Sequence, residues 1–240
     1  MAGGLSGAIL AAGSGQRLRP ASGALPKPLI DLGGQPLLLR QIGILAKAGA
    51  TPIHVIVNSE THRLMHQRGH VVGDTAKLLV RDTANSMESL LGLGERIVPG
   101  FFVLMTVDAV LYAQELVTFV TNATKMIANP RLRLDGALGV VRWRGDANPL
   151  FAQIAGDGVI TALGERQSPM VTAGVYLLST AIFAHGAEAR MRGLDAMRRF
   201  LALLLAKSMR FAALKVPQAI DVDDAADLRA AREMLARQSD

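Results

Sequence analysis

Cysteine is absent from the 240 residues, which excludes a disulfide framework, thiolate metal sites and a thiol nucleophile. Aromatic side chains make up only 4% of the chain, so a core must be assembled from Ala, Val, Leu, Ile and Met. No apolar run approaches the roughly 18 residues that cross a bilayer; the longest, 101–107 and 200–206, suit buried elements. The apolar stretch 1–13 lacks the basic n-region of a secretory signal. Half of the residues are hydrophobic and 19% are charged, which is too apolar a balance for a disordered chain. The expectation is a soluble, cytoplasmic protein with no membrane partner.

The formal charge of +6 raises the question of nucleic acid. Seven basic residues against one acid, Asp195, lie between 190 and 215, leaving nineteen of each sign elsewhere. Within that stretch Leu194, Met197, Leu201, Leu204 and Leu205 recur at helical spacing. Arg198, Arg199 and Lys207 are therefore expected on a solvated helix face, and no nucleic-acid partner is expected.

Strand and helix patterns alternate along the first half, which predicts an α/β domain with a doubly wound, mostly parallel mixed sheet in three layers. Strands are expected at 7–12, 53–57, 77–80 and 101–107, with helices over 36–48 and 86–97. After about residue 129 the texture becomes strand-rich, at 136–142, 149–154, 159–163 and 171–178, with a hairpin-like turn at Gly156-Asp157-Gly158. Two helices, a strand near 211–216 and a last helix from Asp224 follow, with Asp223 or Asp224 as its cap and Asp227 in its first turn. One domain over 1–240 is expected, with halves of about 1–128 and 129–240.

Chemistry concentrates first in AILAAGSGQRLRP, residues 8–20, followed by LPKP at 25–28. Gly13, Ser14 and Gly15 allow close approach of the backbone to a ligand. Arg17 and Lys27 supply charge suited to a triphosphate. The segment is neither a Walker loop, since no GK[ST] follows, nor GxGxxG, since Leu18 takes the last glycine's place. A triphosphate held there would call for a divalent cation such as Mg2+, bound by one or two carboxylates. Asp108 fits by its position at the carboxyl end of the 101–107 strand. Asp221 and Asp223 lie two apart and share a face if that segment is extended.

The 8–20 segment with LPKPLIDLGGQPLL at 25–38 resembles the signature of nucleotidyltransferases that join a nucleoside triphosphate to a phosphorylated sugar, alditol or choline. FFVLMTVDAVL at 101–111 is similar to that family's strand ending in a metal aspartate, and IDVDDAADLRAA at 220–231 to its late acidic motif, with Asp224 where threonine is usual. The resemblance implies a loop of Leu10, Ala11, Ala12, Gly13, Ser14 and Gly15 wrapping the nucleotide, with Arg17 and Lys27 neutralising the triphosphate. It implies metal ligands at Asp108 and at Asp221 or Asp223. N-S-x-x-S-L, beginning at Asn85 and Ser86, is similar to segments of cytidylyltransferases and implies a base or acceptor contact, favouring CTP or UTP; a helix cap is the plain alternative. VTAGVYLLS at 171–179 resembles the acceptor-binding strand, which places Ala173 and Gly174 near the acceptor. Arg166 falls where many members carry a lysine for the acceptor phosphate, with Arg142 and Arg144 as rivals. Trp143 is expected to pack, and His62 and His66 to lie on the surface.

The expected enzyme is thus an Mg2+-dependent nucleotidyltransferase releasing pyrophosphate, a monomer or homodimer. Three other readings use the same features. A molybdopterin-type nucleotidyltransferase would change the acceptor. A metal-dependent glycosyltransferase would carry Asp-x-Asp at the central strand end, where Asp108 is followed by Ala109 and Val110. A nucleotide-sensing subunit would bind without turnover.

Overall fold

A strand buried on both faces can be apolar at every position, and the first and fourth strands of this protein are of that kind. The computed structural model describes residues 4–13, 15, 18, 25–145 and 148–237. In chain order the elements are β1 (Leu5–Ala11), α1 (Leu37–Lys47), β2 (Ala50–Val57), α2 (Ser59–Gln67), β3 (Ala76–Val80), α3 (Ser86–Gly94), β4 (Phe101–Thr106), β5 (Ala109–Val110) and α4 (Ala113–Ile127). They continue with β6 (Gly136–Arg142), β7 (Phe151–Ile154), β8 (Ile160–Gly164), β9 (Met170–Ser179), α5 (Gly186–Met191), α6 (Met197–Ala206), β10 (Phe211–Lys215), β11 (Ile220–Asp221) and α7 (Ala225–Ala236).

The main sheet runs β10-β6-β9-β4-β1-β2-β3. Along this path the strands pair in parallel except at β9, which is antiparallel to β4 and β6, and the same nine-stranded sheet carries β7, antiparallel to both β9 and β8. The chain moves outward from β1 through β2 and β3, then returns to β4 on the other side of β1. That reversal opens a crevice at the carboxyl ends of β1 and β4, where open α/β sheets bind ligands. The fold is the expected doubly wound, mostly parallel α/β arrangement. No described helix is long and apolar enough to cross a membrane.

Strand alternation feeds two cores, one on each face of the sheet. Val103 and Met105 of β4 join a cluster with Leu38, Leu45, Leu116, Phe119, Ala231 and Met234 from α1, α4 and α7. Phe102 and Leu104 join the opposite cluster with Met87, Leu90, Phe200 and Leu204 from α3 and α6. The helix expected over 86–97 stops at Gly94, where Arg96 N turns back onto Leu93 O at 2.9 Å. The glycine-flanked turn at 156–158 does join β7 to β8, with Gly158 at φ +81°.

Candidate active site

Asp108 follows β4 after one residue, Val107, and the next two residues, β5, pair antiparallel with β11. Asp221 is thereby registered opposite Ala109, one residue from Asp108. Val222 N donates to Asp108 O at 3.1 Å and ties the two segments again. The result is a cluster in which one carboxylate oxygen each from Asp108, Asp221 and Asp223 lies within 4.8 Å of the others.

The helix that follows sorts the acids by role. Asp224 caps α7, its carboxylate accepting from Ala226 N and Asp227 N. Asp227 closes the capping box by accepting from the backbone of Asp223 and Asp224 at 3.0 Å. The capping role therefore falls to Asp224 and Asp227, and the side chain of Asp223 turns to the cluster.

Lys27 enters between two of these acids. Its Nζ donates to Asp108 Oδ2 at 2.9 Å and to Asp223 Oδ1 at 2.8 Å. Pro26 and Pro28 flank it, and the residue lies in a short 3-10 turn, Lys27–Leu29, with all three residues buried. Gly15, at φ +56°, passes so close that a Cβ there would stand 3.1 Å from Lys27 Cβ. Burial pulls the Lys27 pKa down, but the two neighbouring carboxylates outweigh it and the net shift is upward. The group is a permanent ammonium at neutral pH. Although Asp221 as a residue is exposed, desolvation of its carboxyl and then repulsion from Asp108 and Asp223 push it up to about 8. A cluster so short of positive charge fits a hard cation: Mg2+ takes oxygen ligands, and carboxylates from a turn and a short strand supply them.

A buried polar pair on α1 holds this arrangement from beneath. Gln41, fully buried, donates through Nε2 to Val107 O at 3.0 Å and to Ala109 O at 2.6 Å, the carbonyls on either side of Asp108. Arg40, also buried, donates to Leu111 O. Two polar residues within an apolar helix stripe were visible in the sequence, but their partners lie 66 and more positions away.

A cavity of about 840 Å³ opens over the cluster. Of the residues singled out from sequence, Leu10, Ala12, Gly13, Gly15, Lys27, Asn85, Ser86, Asp108, Ala173, Gly174, Asp221 and Asp223 all line it. Ala11 does not; it is the β1 position that alternation sends into the core beneath α1. Ser14 and Arg17 lie outside the described residues. Asn85, not Ser86, caps α3, accepting from Glu88 N at 3.0 Å. Ser86 Oγ accepts from Met197 N at 2.9 Å, linking α3 to α6.

Gly174, at φ +70°, lies where β9 carries two extra residues against β6. A Cβ there would meet Ala109 Cβ at 2.5 Å and Thr106 Oγ1 at 2.7 Å, so close packing on the Asp108 turn requires the glycine. Arg166 is exposed and outside the cavity lining, on the β8–β9 connection, where its carbonyl accepts from Gln153. Arg142 and Arg144 are likewise exposed and outside the lining. Trp143 packs edge-on against Phe151, and His62 and His66 are exposed, as expected.

The basic stretch 190–215 mostly forms a solvated face: Arg190 pairs with Glu88, Arg192 and Lys207 with Glu188, and Arg199 with Asp195. Arg198 is exposed as expected, but its exposed face borders the cavity, which it lines. Helical spacing reports which face is apolar, and says nothing of what stands opposite the polar one. Asn58 and Asp82 also went unnoticed in the sequence. Asn58 donates to Ala12 O at 3.1 Å, steadying the glycine-rich loop. Asp82 accepts from Ser59 N and Oγ and lines the cavity near Asn85.

Residues 7–202 match the MobA-like NTP transferase domain. Over 54 residues, 22% of this chain and 15% of the relative, the sequence is 52% identical to a mannose-1-phosphate guanyltransferase of Debaryomyces hansenii. A Saccharomyces cerevisiae protein of the same name is 48% identical over 54 residues, again 15% of its length. The match thus spans about 15% of these curated relatives. Among solved structures, the inositol-1-phosphate CTP transferase of T. maritima superposes with TM-score 0.75 at 20% identity, over 98% of this chain and 96% of that one. The CTP:phosphocholine cytidylyltransferase of Streptococcus pneumoniae gives TM-score 0.73 at 18% identity, over 97% and 99%. These two share the fold.

Proposed function

The chain belongs to the MobA-like NTP transferase family, and from that premise we propose that it moves a nucleoside monophosphate from a triphosphate to a phosphorylated sugar or similar small acceptor, releasing pyrophosphate. The observation that carries this reading is the convergence of Lys27, Asp108, Asp221 and Asp223 beneath a cavity large enough for two substrates. CTP or UTP is the proposed donor, supported by Asn85 and Ser86 in the cavity wall within the N-S-x-x-S-L segment.

The reaction needs no protein nucleophile. An oxygen of the acceptor phosphate, already ionised at neutral pH, attacks the α-phosphorus while the bond to pyrophosphate breaks. Asp108, Asp221 and Asp223 would hold Mg2+, which when bound offsets the charge of the phosphates. Lys27 holds a fixed positive charge at the same point, and Arg17 would add a second. The Gly13 and Gly15 backbone admits the nucleotide closely. Catalysis then consists of positioning and charge compensation.

The test is a matrix of four nucleoside triphosphates against mannose 1-phosphate, glucose 1-phosphate, phosphocholine and inositol 1-phosphate, read by pyrophosphate release with and without Mg2+. Release with CTP or UTP, dependent on Mg2+ and on one acceptor, is the expected result. Release with GTP alone would overturn the donor assignment. Triphosphate binding with no release in any combination would overturn the reaction.

A further inference from the structure

Four carboxylates line the cavity, at Asp82, Asp108, Asp221 and Asp223. Among the described lining residues only Lys27 and Arg198 are cationic, and Lys27 is already held by two of the acids. Among the described lining residues, Arg198 is thus the cation that does not pair with the acid cluster.

Arg198 is the second residue of α6, and the start of that helix is fixed by the Met197 N–H on Ser86 Oγ. Its Nη2 donates to Asn148 O at 3.2 Å, which aims the guanidinium with one of its five donors. Asn148, Pro149 and Leu150 form this wall together with Thr172, Ala173 and Gly174. All of them belong to the chain beyond residue 129. Arg198 and the acid cluster line the same cavity.

We infer that Arg198 receives the acceptor's phosphate and holds it against the acid cluster, taking the part that the sequence pattern assigns to Arg166. The inference rests on the proposed reaction for its substrate, but its geometry concerns the anion alone. Arginine suits the task because its planar fork pairs with two phosphate oxygens at once. A lysine there would keep the charge and lose the fork.

Two measurements test this. Methyl phosphate, titrated calorimetrically, reads the subsite without turnover; wild type should bind it, and Arg198→Gln should weaken binding by about tenfold or more. Arg198→Lys should fall between them, while Arg166→Gln should match wild type. With whichever acceptor turns over, Arg198→Gln should raise KM for that acceptor and leave KM for the triphosphate unchanged. Methyl phosphate that ignores the substitution, or fails to bind wild type, overturns the inference. So does a KM effect confined to the triphosphate. A chain that binds methyl phosphate through Arg198 yet releases no pyrophosphate would instead refute the proposed reaction and leave the anion subsite standing.

Discussion

Replacing Lys27 by methionine keeps the length of the side chain and removes its charge. In the native site the ammonium lies 2.9 and 2.8 Å from two carboxylates, at 10% exposure against their 24% and 28%. Without it, three carboxylates stand with oxygens inside 4.8 Å and no cation between them. Two unit charges at that spacing repel by about 3.5 kcal/mol at an effective dielectric of about 20. Water reaching the partly exposed acids reduces this, so the net loss of stability is about 2–3 kcal/mol, below the 3–5 of a fully buried broken pair. For a chain of this size that lowers Tm by about 5–10 °C. The assay is thermal unfolding at pH 8 in EDTA, repeated with Mg2+. Mg2+ should restore the variant more than it stabilises wild type, because in the variant it meets no ammonium in its place. The deficit should also shrink toward pH 4 as the acids protonate. A Lys27→Met protein that melts with wild type in EDTA, or responds to Mg2+ no more than wild type, would refute the view of these four side chains as one electrostatic unit.

Other perturbations separate the parts. Asp221 has its pKa raised by folding, to about 8, so its contribution to stability is present below about pH 4 and lost as pH rises through 8. Asp221→Asn should flatten that loss in cation-free unfolding curves and weaken Mn2+ binding measured by EPR; an unchanged pH profile would argue against it. Gly174→Ala places a Cβ against Ala109 and Thr106 at positive φ and should lower stability by about 2 kcal/mol or more in urea unfolding. Gln41→Leu leaves the Val107 and Ala109 carbonyls unpaired and should cost about 1–3 kcal/mol. It should also loosen Mn2+ binding, because both carbonyls flank Asp108.

The parts of the fold legible in the sequence were those dictated by local periodicity. The apolar runs of β1 and β4 and the stripe of α1 each declare themselves within a dozen residues. The β9 strand was visible as a strand, but its antiparallel place between β4 and β6 depends on pairings across 28 to 78 positions. The acids were legible because strand ends and caps have local signatures. Which acid caps α7 was not, since Asp223 and Asp224 are chemically identical and only the turn geometry distinguishes them. Arg166 and Arg198 show the same limit from the other side. A family pattern placed charge at the first, and helical spacing put the second on an exposed face without showing that this face borders the cavity. Arg198 reaches Asn148 O across fifty positions.

The ion pairs of Lys27 join residues separated by 81 and 196 positions. During synthesis the lysine and Asp108 emerge early, while Asp221 and Asp223 follow more than a hundred residues later. At about 5–20 residues per second, the ribosome holds the first half of the chain for several seconds before the ribbon of β5 and β11 can close. Throughout that interval the central strands can pair and bury their side chains, yet the centre is still missing the acids that complete it. A nascent chain arrested before residue 221 would therefore present a largely wound sheet unable to do the chemistry. Competence arrives only once residues 220–223 have been made, in the pairing of two dipeptides.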